Sequence, residues 1–149
     1  MVGGTVVGRA DVSAVMNWLN LPSDIARADV APVLQMACTV LELYERADLF
    51  QQGEPVQHVF LLLEGRLHQA RTEQRADGSY RMALRRVVTP GAMVGIYDLL
   101  YNQPHSVRTR ALEPCRLIAI DAATVSQLIH RFPQLRNHLV PMPQIERLR

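Results

Sequence analysis

The residues best able to do chemistry together lie between Pro90 and Ala111, PGAMVGIYDLLYNQPHSVRTRA. Gly95, lacking a Cβ, lets a backbone come close to a ligand. The short apolar run after it has the spacing of a helical turn, whose first amides have no partner within the helix. His105 and Ser106 follow Pro104, with Arg108 and Arg110 beyond them. Helix-start amides, a hydroxyl and an imidazole make a candidate cradle for a small anion. Tyr97 and Tyr101, one helical turn apart, could stack on a base, although packing at a pocket rim is the simpler use of two amphipathic rings. Asp98 shows no partner in the sequence and reads as a residue that complements the helix dipole.

Other chemistry is disfavoured by number and spacing. Cys38 and Cys115 are too few and too far apart for a disulfide framework or a metal–sulfur site, and read as small core residues. His58, His68, His130 and His138 are not paired with carboxylates at metal-ligand spacing, and Gly65 to Gln69 holds one His where a barrel metal site needs a His-x-His pair. No enzymatic activity and no metal are expected.

The chain has 149 residues, 48% of them hydrophobic, which is enough for a real core and excludes a disordered chain. No apolar run approaches the roughly 18–20 residues of a membrane span, and the first residues lack a basic segment followed by an apolar one. A soluble, cytoplasmic protein is therefore expected. The net charge is +2, and all 16 basic residues are Arg. Arg suits bidentate contacts to phosphate and carboxylate, but the absence of Lys is read here as compositional bias.

The elements that must position the cradle can be placed by period. Met1 to Ala10 has no usable period and is expected to be a loose terminus. Asp11 can cap a helix with Val12, Val15, Met16 and Leu19 inward; a second helix, with Asp29 as cap and Pro32 in its first turn, turns Val33, Leu34, Ala37 and Cys38 inward. From Thr39 to Ile120 the period is two, in short strands separated by Gly and Pro: 39–44, 49–50, 56–63, 67–71, 81–88 and 117–120, with Asp77-Gly78 marking a hairpin. Six Arg fall between Arg66 and Arg86, partly offset by Glu73 and Asp77, either a basic patch for an acidic partner or, the reading preferred here, a solvated hairpin face. Asp121 caps a further helix with Val125, Leu128, Ile129 and Phe132 on one face. Leu135, Leu139 and Val140 begin another, interrupted by Pro141 and Pro143, and 144–149 looks helical again, an element cut off mid-pattern as in a fragment of a longer protein. The organisation expected is mainly β with flanking helices: an N-terminal helical segment over 1–38, a jelly-roll-like β-roll (double-stranded β-helix) over 39–121, and a C-terminal helical segment over 122–149.

Several short stretches in order, Leu49-Phe50-Gln51-Gln52-Gly53-Glu54, Val59 to Gly65, Gly91 four residues before Gly95, then Leu99-Leu100, Pro104, Ala111 and Cys115-Arg116-Leu117, resemble the cyclic nucleotide-binding domain family. This is the regulatory module of catabolite-activator-type transcription factors, cyclic nucleotide-dependent kinases and gated channels. The resemblance covers about 39–140 and implies an eight-stranded β-roll with helices packed at its ends. It also implies a phosphate-binding cassette at Gly95, Ile96, Tyr97, His105 and Ser106. In the family the Glu after the first Gly accepts the ribose hydroxyl and an Arg after the Pro pairs with the cyclic phosphate. Here those positions hold Ile96 and His105. Were the run extended, Arg108 would face away from His105 and Arg110 would lie on its side but about 17 Å along, at roughly 3.3 Å per residue; neither replaces the missing Arg. Losing two hydrogen bonds to charged groups costs on the order of 3–6 kcal/mol, or roughly 10² to 10⁴ in affinity. The function implied is a regulatory, ligand-sensing-type domain that does not bind cAMP or cGMP in the usual way and acts as an interaction or scaffold module in a longer protein. The alternative is a working sensor of cAMP, cGMP or another small anion through helix-start amides, Ser106 and protonated His105. Partners are then a small-molecule anion or other protein domains, with no membrane, no direct nucleic-acid contact by this segment, and a homodimer compatible with the fold.

Overall fold

The structure is a computed structural model and describes residues 4–139. Two antiparallel sheets form a β-roll, with five helices among the described residues. The chain runs β1 (Gly4–Arg9), α1 (Ser13–Leu19), α2 (Arg27–Gln35), β2 (Cys38–Leu43), β3 (Asp48–Phe50), β4 (His58–Glu64), β5 (Leu67–Gln74) and β6 (Tyr80–Val88). It continues through β7 (Met93–Val94), α3 (Ile96–Leu100), β8 (Arg108–Ala111), β9 (Cys115–Asp121), α4 (Ala122–Arg131) and α5 (Gln134–Leu139). One sheet has the order β1-β2-β9-β4-β7, the other β3-β8-β5-β6.

The centre of the first sheet is the pair β4 and β9, and both strands are apolar on both faces. Period-two alternation therefore feeds two cores at once. Phe60 and Leu62, opposite Ala119 and Leu117, point into the roll against Leu41, Leu49, Phe50 and Leu67. Val59 and Leu61, opposite Ile120 and Ile118, point outward against Val15, Leu19, Val30, Leu34, Val125 and Leu128 of the helices. The helical layer leaves an apolar cavity of about 30 Å³ lined by residues that include Trp18, Val59, Ile96 and Leu128.

The helices form where the periodicity puts them. Val12, Val15, Met16 and Leu19 are all buried; the cap position of α1 is Val12 and not Asp11, which stands one residue earlier and accepts from the Ser13 amide (2.9 Å). The second helix begins earlier than expected, at Arg27 after Ala26, and ends at Gln35, so Asp29 lies in its first turn and Pro32 in its interior; Val30 and Leu34 form its buried face, whereas Ala37 lies beyond it and Cys38 is buried as the first residue of β2. Asp121 caps α4 by accepting from the Thr124 amide (3.1 Å). Both cysteines are buried; loss of solvation pushes the Cys38 thiol up to about 11.

One expectation fails at the amino terminus. Residues 4–9 are not a loose tail but β1, which pairs antiparallel with β2 and adds a ninth strand to the eight of the roll. Most of its side chains are exposed, so the strand is held by backbone pairing and leaves no apolar alternation to detect. The helical pattern over 144–149 and Val140 lie outside the described residues.

Asp121→Ala should cost about 1 kcal/mol by leaving a helix-start amide without its acceptor. The expected result is a lower urea midpoint with an unchanged m-value.

Candidate functional site

The cradle predicted from sequence forms as a loop, a five-residue helix and a return strand, but its groups point in directions that spacing alone does not give. Gly95 caps α3 with φ of 90°, a conformation that favours glycine. A Cβ there would stand 3.3 Å from His105 Cε1 and 3.4 Å from the His58 carbonyl. The space that a missing side chain leaves beside the helix start is thus filled by the His105 ring.

His105 is 3% exposed and stacks face to face on Phe50, ring centroids 3.5 Å apart and planes 11° from parallel. Its backbone is tied to the turn after β3: His105 N donates to Glu54 O (2.9 Å), and Gly53 N donates to His105 O (2.8 Å). Burial holds the imidazole pKa below its ordinary value, with Asp98 and Glu54 opposing the shift by their charge. Nδ1 is buried and has no hydrogen-bond partner. A neutral ring stacked on an aromatic is the stable arrangement here, because a charged one would lose its hydration without pairing.

Asp98 is buried, at 5% exposure, and is the hub of the cradle. One oxygen accepts from Gln103 Nε2 (2.6 Å); the other accepts from the Ser106 amide (2.9 Å) and the Ser106 hydroxyl (3.2 Å). The reading of Asp98 as a partnerless dipole-complementing residue is corrected by these contacts. The Ser106 hydroxyl, expected to be offered to an anion, is already on a carboxylate, and so is the Ser106 amide.

Ile96, at the family's Glu position, is buried with the helical core and lines the apolar cavity rather than the roll interior. Tyr97 is half exposed and packs on Tyr101 (4.5 Å between centroids), over which the Arg136 guanidinium lies at 5.6 Å. Arg136 also donates to the Leu100 carbonyl (2.5 Å), so α5 holds the end of α3. The tyrosines are engaged with each other at the surface.

Arg108 and Arg110 are on one face of β8, not on opposite faces, since residues two apart always share a face. Thr109 and Ala111 take the inner face, so both arginines point out of the roll, where Asp48 receives them at 3.5 and 2.9 Å. The Arg110 hydrogen bond first, then Gln51 and the nearby charges, hold the Asp48 carboxyl below its usual range. Inside the roll, sequence reasoning missed a polar chain. Arg86 Nε donates to Gln69 Oε1 (2.5 Å), and Gln69 Nε2 donates to Thr109 Oγ1 (3.1 Å), with Gln69 and Thr109 almost wholly buried. Gln103 and Gln69 carry no motif that would have flagged them, and Phe50, although in a stretch that resembles the family, shows no sign along the chain of its stack on His105.

Residues 40–132 match the family model described as the cyclic nucleotide-binding domain. No curated protein matches the chain in sequence. Among solved structures, a cyclic nucleotide-binding domain from Methylobacillus flagellatus is similar at 17% identity and TM-score 0.68, over 91% of this chain and 76% of that one. The sensor domain of the transcriptional regulator DNR from Pseudomonas aeruginosa is similar at 16% identity and TM-score 0.67, over 86% and 82% of the two chains. The catabolite activator protein of Thermus thermophilus is similar at 23% identity and TM-score 0.59; 85% of this chain aligns, and it spans 55% of that protein's length.

Because burial lowers the His105 pKa, the unfolded chain binds the extra proton first as pH falls. His105 therefore leaves stability intact above about pH 6.5, its unfolded value, and subtracts from it below, by up to about 1.4 kcal/mol per pH unit. The comparison is with His105→Phe, which keeps a ring on Phe50. Urea titrations between pH 7.5 and 5 should show a shallower loss for the variant than for the native chain.

Proposed function

Because the chain belongs to the cyclic nucleotide-binding domain family, we propose that it is a regulatory domain of that family whose anion cradle is closed by its own side chains. It acts as an interaction or scaffold module within a longer protein, and not by binding cAMP or cGMP in the usual way. The observation that carries this reading is Asp98 on Ser106. A cyclic phosphate brought to the cradle would have to displace a carboxylate from the donors it needs. If the two remained together at about 4 Å, their repulsion would be on the order of 4 kcal/mol at an effective dielectric near 20. His105, neutral and stacked on Phe50, brings no compensating charge.

The supporting features are contacts that the chain makes among its own groups around α3. Helix α3 is capped by Gly95, closed by Arg136 at its far end, and braced by the Asp98 contacts within. Its place within a longer protein agrees with the length of the Thermus catabolite activator, of which the chain spans about half.

A second reading has one observation in its favour, the buried His105 Nδ1 without a partner. On that reading cAMP, cGMP or another small anion binds with His105 protonated, and affinity rises as pH falls through an imidazole pKa already lowered by burial.

Thermal unfolding with cAMP and cGMP at pH 6 and pH 7.5 separates these. Ligand at 100 times its dissociation constant adds about 2.7 kcal/mol, a midpoint rise of roughly 5–10 °C for a chain of this length. No shift at millimolar nucleotide at either pH is the expected outcome. A full shift at micromolar nucleotide at both pH values would overturn the closed cradle. A shift confined to pH 6 and lost in His105→Ala would establish the second reading.

A further inference from the structure

The hairpin of β5 and β6 presents a surface on the far side of the sheet from the cradle. Strand β6 is the outer strand of the four-stranded sheet. Its register with β5 sets Val87 opposite His68 and Arg85 opposite Ala70, then skips Ala83, so that Met82 faces Thr72 and Tyr80 faces Gln74. The skipped residue is a β-bulge, which reverses the alternation along β6. Without it, Met82 and Tyr80 would turn to the side of Arg86 and Val88; with it, Tyr80, Met82, Arg85 and Val87 all share the outer face. Tyr80 is 70% exposed, Met82 52% and Val87 49%.

Next to this row, the register places Arg108 opposite Ala70 and Arg110 opposite His68. Arg85 and Arg108 thus flank Ala70 from the two neighbouring strands, and Arg110 lies opposite His68 on the same face. Asp48 answers Arg108 and Arg110 through a single oxygen, and Arg85 has no carboxylate partner among the described residues. After burial, the charges of Arg85, Arg108 and Arg110 are what lower the pKa of His68, so their field reaches across the face.

We infer that this outer face is a docking surface for a protein segment in which carboxylates alternate with apolar side chains, a carboxylate meeting Arg85 and the apolar groups covering Met82 and Val87. Charge complementarity selects the acid, and the exposed apolar row selects against nucleic acid, whose phosphate backbone gains nothing from Met82 and Val87. The bulge interrupts the free edge of β6, which favours binding across the face over the addition of another strand. The inference gives the interaction-module reading a surface and rests on it for its biological role. The test changes no residue of the cradle and uses no nucleotide, so either idea can fail alone.

The probe is a short fluorescein-labelled peptide in which Glu alternates with Val, followed by anisotropy with the full chain. One control replaces each Glu with Gln, another each Val with Ser, and labelled duplex DNA is the third. The Glu/Val peptide should bind, and each control peptide should bind about tenfold more weakly or worse. Arg85→Glu should lower affinity for the peptide by at least about tenfold, and Met82→Ser should do so to a smaller degree. Both residues are exposed, so the thermal midpoints should stay at the native value. No peptide binding at millimolar protein, equal binding of the Gln peptide, or unchanged binding to Arg85→Glu would overturn the inference. So would DNA binding as tight as the peptide's and lost in Arg85→Glu.

Discussion

The fold rests on two adjacent strands that are buried on both sides. Because β4 and β9 are hydrogen-bonded to each other and each supplies apolar side chains to both cores, the roll and the helical layer cannot pack independently. Val59 and Ile120 fix the helices while Phe60 and Ala119, one residue along, fix the roll. A one-residue slip would send every one of these side chains into the wrong core. Everything that shapes the cradle hangs from this pair: β7 is hydrogen-bonded to β4, α3 follows β7 directly, and Ile96 seats α3 in the helical core.

Given that frame, the cradle had to satisfy its own polar groups. A turn that brings the Ser106 amide and hydroxyl inward leaves two donors to be answered, and buried donors without acceptors are costly. In this chain Asp98 answers them, with Gln103 completing the carboxylate's contacts. Phe50 and Gly95 between them take up the His105 ring. The same substitution that removes a bidentate cation thereby adds a packing contact. A neutral imidazole fits between a phenyl ring and a glycine backbone, whereas a guanidinium buried there would need an anion.

Much of this architecture was legible in the sequence. Strands with period-two alternation, the Asp77-Gly78 turn and the Asp121 cap all depend on neighbours along the chain, and the structure has them where the pattern puts them. So did the order of glycine-bearing stretches that identifies the family. The amino-terminal strand was not legible, because β1 is held by backbone bonds to β2 and most of its side chains stay in solvent. Arg108 and Arg110 share one face of β8 by alternation alone, and which face that is depends on Thr109 and Ala111, whose side chains are buried on the inner one.

The sequence by itself determined the elements, the family and the loss of the Glu and Arg expected in the cassette, since each of these is a property of local order and residue type. Only the tertiary structure decided what replaced them. The Asp98 contacts to Ser106, the stack of His105 on Phe50 and the gathering of Arg85, Arg108 and Arg110 join residues that lie 8, 55 and more than 20 positions apart. The arginines are brought together by the register of β6 and β8 on β5, the His105 stack by the backbone bonds that tie the loop before β8 to the turn after β3, and the Asp98 contacts by the turn that follows α3. No periodicity along the chain encodes them, because each is a relation between segments that only the folded chain brings together.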